Sequence, residues 1–89
     1  MRYVWDPTKA RANRKKHGIP FEEAVTSFAD PLAIIVDDDA HPERALLIGM
    51  SFTERVLVTV FIERHDDEIR LISARMATRA ERRRYEEGD

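Results

Sequence analysis

Arg55-Val56-Leu57-Val58-Thr59-Val60-Phe61-Ile62-Glu63-Arg64, then His65-Asp66-Asp67, then Glu68-Ile69-Arg70-Leu71-Ile72-Ser73-Ala74-Arg75: this stretch decides the fold. Val56, Val58, Val60 and Ile62 fall at every second position, the period of a strand with one buried face. A short polar turn and a second apolar run complete a hairpin. Setting residue 64 opposite residue 69 puts Glu63 across from Arg70, a stabilising pair that makes Arg70 structural. On this register Arg64 and Arg75 share the other face but stand at its opposite ends. At ~3.3 Å per residue they are too far apart for one phosphate unless the sheet is bulged or strongly twisted.

Upstream, Leu32 to Val36 and Arg44 to Met50 read as two more strands around an acidic loop, Asp37 to Glu43. Before them, Phe21, Ala24, Val25 and Phe28 form the i, i+3, i+4, i+7 stripe of a helix that follows Pro20 and ends at Asp30-Pro31. Asp6-Pro7 starts an earlier helix, with Asp as cap and Pro at the first helical position. That helix runs to His17 and stops at Gly18. Tyr3 to Trp5 is a short first strand. Downstream of the hairpin, Thr78 and Glu81 make a T-x-x-E capping box for a last helix. The expected fold is α+β: a short N-terminal strand, two helices, an antiparallel meander and a C-terminal helix, in one domain over residues 1–89. The early helices cover one face of the sheet. The other face, or the edge near the last helix, is left as a binding groove.

The chain has 89 residues, a net charge of −2 and no cysteine. A disulfide frame, a thiolate metal site and a cysteine nucleophile are therefore excluded. Met1 leads into a polar stretch rather than a signal segment, and no apolar run nears the ~18 residues of a membrane span, so a cytoplasmic setting is expected. Asp37-Asp38-Asp39 lacks a ligand spacing, so no metal and no cofactor are expected. Charge is unevenly distributed. Lys9 to Lys16 holds five basic residues and no acid, Glu22 to Glu43 seven acids and no Lys or Arg, and Arg75 to Arg84 five basic residues and one acid. Two basic runs can fold into one positive patch. Arginine suits phosphate, because its planar fork donates two parallel hydrogen bonds and keeps its charge.

The first helix has no large apolar residue. Lys9, Ala10, Asn13, Lys16 and His17 fall within one 120° arc, so Lys9, Asn13, Lys16 and His17 are expected to face an anion together; the alternative is a solvated helix anchored by Trp5, Ile19 and Phe21. His17 can move a proton near neutral pH. Glu43-Arg44 is either a base beside a phosphate ligand or a salt bridge. Arg64 and Arg75 end strands, and Arg79 and Arg82 lie on the last helix. Tyr85 shares a side with Arg82, where it packs, stacks on a base or donates a proton.

Taken together, these segments resemble the BrnT toxins of bacterial type II toxin–antitoxin pairs. The resemblance rests on Trp5-Asp6-Pro7 with Lys9, Asn13 and Lys16-His17, on Phe21-Glu22-Glu23-Ala24 and Phe28, and on Glu43-Arg44 with Ile48-Gly49. It closes with Ile69-Arg70, Ile72-Ser73-Ala74-Arg75, Ala77, Glu81-Arg82 and Tyr85. Glu54 departs from it, where a small turn residue is expected. The resemblance implies a RelE-like fold and a metal-independent ribonuclease that inhibits translation. It implies a BrnA-like antitoxin as partner, with operator DNA contacted only through that complex. Attack by the RNA 2′-hydroxyl needs a base, an acid and cations around the charged transition state. His17 or Glu43 is the candidate base. His17, Lys16 or Tyr85 is the candidate acid. Arg75 and Arg82, with Arg64, are candidates to hold the phosphoryl oxygens, while Lys9, Asn13, Arg44 and Arg79 are candidate RNA contacts. The rival reading is a non-catalytic basic-faced module that binds an acidic protein or a nucleic acid.

Overall fold

The computed structural model describes residues 1–65 and 67–88. Element order is β1 (Arg2–Val4), α1 (Pro7–His17), α2 (Phe21–Thr26), a 3₁₀ turn (Ser27–Ala29), β2 (Ile34–Asp37), β3 (Ala45–Met50), β4 (Val56–Arg64), β5 (Glu68–Met76) and α3 (Arg79–Glu87). The strands form one sheet in the order β1-β5-β4-β3-β2. β2 to β5 make the expected antiparallel meander. β1 joins its far side, parallel to β5. Of the predicted turn at 65–67, Asp66 lies outside the described residues.

The caps form as their residue types require. The Asp6 side chain accepts from the Thr8 N–H at 2.8 Å, and Gly18 closes α1 at φ +73°. At α3 the Thr78 hydroxyl accepts from the Glu81 N–H while the Glu81 carboxylate accepts from the Thr78 N–H, a reciprocal capping box. The second predicted helix is shorter than its apolar stripe, because Phe28 sits in the 3₁₀ turn.

One face of the sheet is covered by α1 and α2. Ile19, Phe21 and Ala24 pack there on Leu47, Leu57, Phe61, Ile69, Leu71 and Ala74. Each fully buried large side chain contributes about 1.5–3 kcal/mol. Trp5 meets Phe21 edge-on, and Phe28 contacts both Tyr3 and Phe61. Where the 3₁₀ turn crosses β3, a Cβ on Gly49 would lie 3.0 Å from the Ser27 carbonyl, so any larger residue would push the turn and strand apart by a few tenths of an ångström. The opposite face carries Val56, Val58 and Ile48, and α3 covers that end through Tyr85.

The hairpin register departs from expectation at one point. Val60 pairs with Ser73, as setting 64 opposite 69 requires, but Phe61 pairs with Leu71. Ile72 is therefore an extra residue, a β-bulge. Below it every side chain of β5 changes face. Glu63 opposes Ile69, and Arg70 opposes Ile62, so the expected Glu63–Arg70 pair does not form. Arg70 instead joins Arg75 on the face away from α1 and α2.

Candidate active site

The face away from α1 and α2 reads as rows across the strands. Ile34, Ile48, Val58 and Arg75 share one row, and Val36, Leu46, Val60 and Ser73 the next. Ile62 and Arg70 follow, then Arg64 and Glu68. Among the described residues Arg64 and Arg70 form no ion pair, while Arg2 bridges Glu68. α3 lies over the Val58 end and leaves Val60, Ile62 and Ser73 half-buried.

Arg75 is half-buried at the α3 end. Its guanidinium donates to both carboxylate oxygens of Glu81, at 2.7 and 2.9 Å. The arginine bond, against the opposing effect of burial and with help from Thr78, holds the Glu81 carboxyl at about 2. Glu81 thus has two partners: it caps α3 and fixes the head of Arg75 at the mouth of the face. Arg79 and Arg82 are exposed on α3, and Arg82 makes a 3.4 Å contact with Glu86.

The placement of Asn13 overturns the expected anion-facing arc. Asn13 is only 7% exposed. Its Nδ2 donates to the carbonyls of Ala74 (2.9 Å) and Ile19 (3.1 Å), and its Oδ1 accepts the Ala74 N–H (3.1 Å). β1 pairs only as far as Arg70, so beyond it that edge of β5 lacks a strand. The Asn13 carboxamide substitutes for the missing peptide group. The arc centred on Ala10 and Asn13 is thus the packed side of α1, small enough to approach the strand closely, and Asn13 is not an RNA contact. Lys9 and Lys16 flank it in solvent, with His17 half-buried. Because Asn13 binds both Ile19 and Ala74, the segment carrying Lys16 and His17 closes at the edge of β5 beside the residue that precedes Arg75.

Tyr85 also departs from expectation as a proton donor. It is buried, and its hydroxyl donates to Asp30 Oδ2 at 2.5 Å. Burial, and then the Asp30 carboxylate, push its pKa up to about 12. Asp30 also accepts the N–H groups of Met50 (2.8 Å) and Leu32 (2.9 Å). Burial opposes ionisation of Asp30, but these three bonds outweigh it and lower its pKa. Tyr85 is the latch that fastens α3 to the sheet.

Glu43 is exposed, with its carboxylate 4.0 Å from His41 Nδ1 and 3.9 Å from Arg44 Nε. It stands beside the Ile62 row, four residues along β4 from the Val58 row of Arg75, or about 13 Å. The structure puts Arg75, Arg79 and Arg82 at the α3 end of this face and Arg44, Arg64 and Arg70 at the other, while Lys16 and His17 lie on α1, which packs on the opposite side of the sheet. Asp37, Asp38, Asp39 and Pro42 line a polar pocket, but among the described residues no group of three potential metal ligands comes together.

Sequence reasoning missed a buried ion pair, Glu23–Arg55. Arg55 Nε donates to Glu23 Oε2 at 2.9 Å, a second guanidinium nitrogen binds Oε1, and the Ser51 and Thr53 hydroxyls bind Oε2 at 2.7 and 2.6 Å. The signal was a glutamate on the apolar side of α2, beside Ala24. The pair ties α2 to the β3–β4 turn and lies away from the arginine face.

The fold and the site define a small α+β domain with an arginine-bearing sheet face bordered by the basic helix α3. A family model described as "Ribonuclease toxin, BrnT, of type II toxin-antitoxin system" matches residues 5–81. The chain belongs to this family of toxins. The 1.1 Å crystal structure of the Brucella abortus ribonuclease toxin BrnT shares its fold, with a TM-score of 0.72 at 23% identity over 89% of this chain and 99% of that one. Comparison with curated proteins gave no significant match. No helix among the described residues is long and apolar enough to cross a membrane.

Proposed function

We propose that this ribonuclease toxin cleaves RNA without a metal ion, at the α3 end of the open sheet face, by attack of a 2′-hydroxyl on the adjacent phosphate. The observation that carries this reading is the position of Arg75. It is held by Glu81 at the rim of the face, with the basic first turns of α3 on one side and the Lys16-His17 end of α1 at the adjoining strand edge. An incoming phosphate exchanges for Glu81 on a guanidinium fork that is already held in place. Stabilising the charge that develops on its oxygens is the largest single contribution such a site can make. His17 serves as base toward the 2′-hydroxyl, and Lys16 or His17 protonates the leaving oxygen. Lys9, Arg79 and Arg82 attract the backbone on either side. Glu43 is too distant from Arg75 to act on the same phosphate.

A BrnA-like antitoxin neutralises the toxin by covering this face, and operator DNA is bound only through that complex. The reaction takes place in the cytoplasm, where it blocks translation.

End-labelled single-stranded RNA tests the reading, with the Arg75→Ala protein alongside and with EDTA present or absent. Cleavage that survives EDTA, leaves 2′,3′-cyclic phosphate or 3′-phosphate ends, and disappears in the variant is expected. RNA binding by a folded protein with no cleavage, on free RNA or translating ribosomes, favours the non-catalytic module.

A further inference from the structure

Two arginines at the far end of the face, Arg44 and Arg70, take no part in the site at Arg75. The register of β3 continued by one residue sets Arg44 opposite Ile62, which itself faces Arg70. Arg44 and Arg70 therefore stand on either side of Ile62, two strand spacings or about 10 Å apart at their backbones. Both are half-buried, and their side chains are long enough to converge over the isoleucine. The Arg44 Nε–H is buried and lacks a hydrogen-bond partner among the described residues, its nearest carboxylate being 3.9 Å away. An unsatisfied buried donor on a cation is costly, and a phosphate oxygen would satisfy it. The Ile72 bulge is what places Arg70 there, since an unbroken strand would turn it to the α1 and α2 side.

We propose that Arg44 and Arg70 together hold a second phosphate of the RNA, flanking the one at Arg75, so that the sheet face fixes the register of cleavage. This rests on the ribonuclease reading above. The row of Arg70 lies about 13 Å along β4 from the row of Arg75, so the two sites take phosphates separated along one strand rather than the same group. Ser73, small and midway between them, keeps the floor open for the intervening sugar.

The test uses an all-2′-O-methyl oligonucleotide, which lacks the attacking hydroxyl, with one phosphate at a time replaced by a neutral methylphosphonate. For the wild-type protein, neutralising one particular flanking phosphate weakens binding about tenfold. Arg70→Met and Arg44→Met lose sensitivity to that same replacement, and the double variant is no weaker than either single one. The log–log salt dependence flattens by ~0.7 in each. Arg70→Lys, which keeps the charge, retains the sensitivity and guards against a folding artefact. An unchanged penalty in Arg70→Met, or losses that add in the double variant, overturns the subsite. A ribodinucleotide substrate, with only the scissile phosphate, is cleaved equally by wild type and Arg70→Met. Binding with the phosphate signature but no cleavage of any RNA defeats the ribonuclease reading and leaves the subsite. Cleavage without the signature does the reverse.

Discussion

Glu23–Arg55 and Glu81–Arg75 are the same bidentate pair placed in two different surroundings. At Glu23 the carboxylate is 7% exposed and its Oε2 also accepts the Ser51 and Thr53 hydroxyls, although Arg55 itself is 37% exposed. At Glu81 the carboxylate is 24% exposed, its arginine is 34% exposed, and the only other partner is the helix cap. Both carboxyls titrate near 2, Glu23 through Arg55 first and Glu81 through Arg75 first, with burial opposing in each. Electrostatics alone therefore does not separate them. What separates them is the alternative open to the arginine. The carboxylate that holds Arg55 is itself held by the Ser51 and Thr53 hydroxyls. Arg75 faces the mouth of a cationic surface, where a phosphate can take its fork while Glu81 keeps its bond to the Thr78 N–H. One pair is a rivet; the other presents a ligand.

Breaking the buried pair has the largest effect. Glu23→Ala leaves two hydroxyls and the 37%-exposed Arg55 head without their acceptor, and should cost about 3 kcal/mol in chemical denaturation. Arg75→Met removes the presented guanidinium and should lower the cleavage rate a hundredfold or more, about 2.7 kcal/mol of transition-state stabilisation, with less than about 1 kcal/mol lost in stability. Tyr85→Phe unfastens α3 from Asp30 and should cost about 1–2 kcal/mol, read as a shift in the unfolding midpoint.

The pH dependence sharpens the same comparison. Folded-state values near 2 lie below the unfolded value of 4.5, so the stability from both glutamates is complete above about 4.5 and is lost as pH falls toward 2. Glu23→Gln should flatten that acid limb more than Glu81→Gln, because the Glu23 carboxylate is itself the more buried of the two. Tyr85 has the opposite sign. Its pKa is raised from 10.0 to about 12, so its contribution is complete below 10 and is lost as pH rises to 12. That alkaline limb should be absent in Tyr85→Phe. The smallest effect lies in the β3–β4 turn, where Glu54 adopts φ +64°. Glycine there relieves the left-handed strain, and Glu54→Gly should gain up to about 1 kcal/mol in thermal unfolding without altering cleavage.

The strands, the caps and the bare sheet face were legible because each follows from local pattern: alternation in Val56 to Ile62, Asp6-Pro7, and Thr78 with Glu81. Three features were not. The bulge at Ile72 changes the face of Arg70, yet nothing in Leu71-Ile72-Ser73 distinguishes a bulged strand from a regular one. Asn13 looked like a ligand because its polar head was read without the unpaired β5 edge that it satisfies, and that edge exists only because β1 is three residues long. The sequence leaves Tyr85 between packing, stacking and proton donation, and its partner Asp30, distant along the chain, decides for packing. Pairings of long sequence separation carry little local signal, and the last two features depend on one.

The most direct test of the account is to compare Arg55→Met and Arg75→Met in one experiment, measuring unfolding free energy and, at low temperature, RNA cleavage per folded molecule. The account predicts that Arg55→Met loses stability and keeps cleavage, while Arg75→Met keeps its stability and loses cleavage. Cleavage by folded Arg75→Met at the wild-type rate would contradict it.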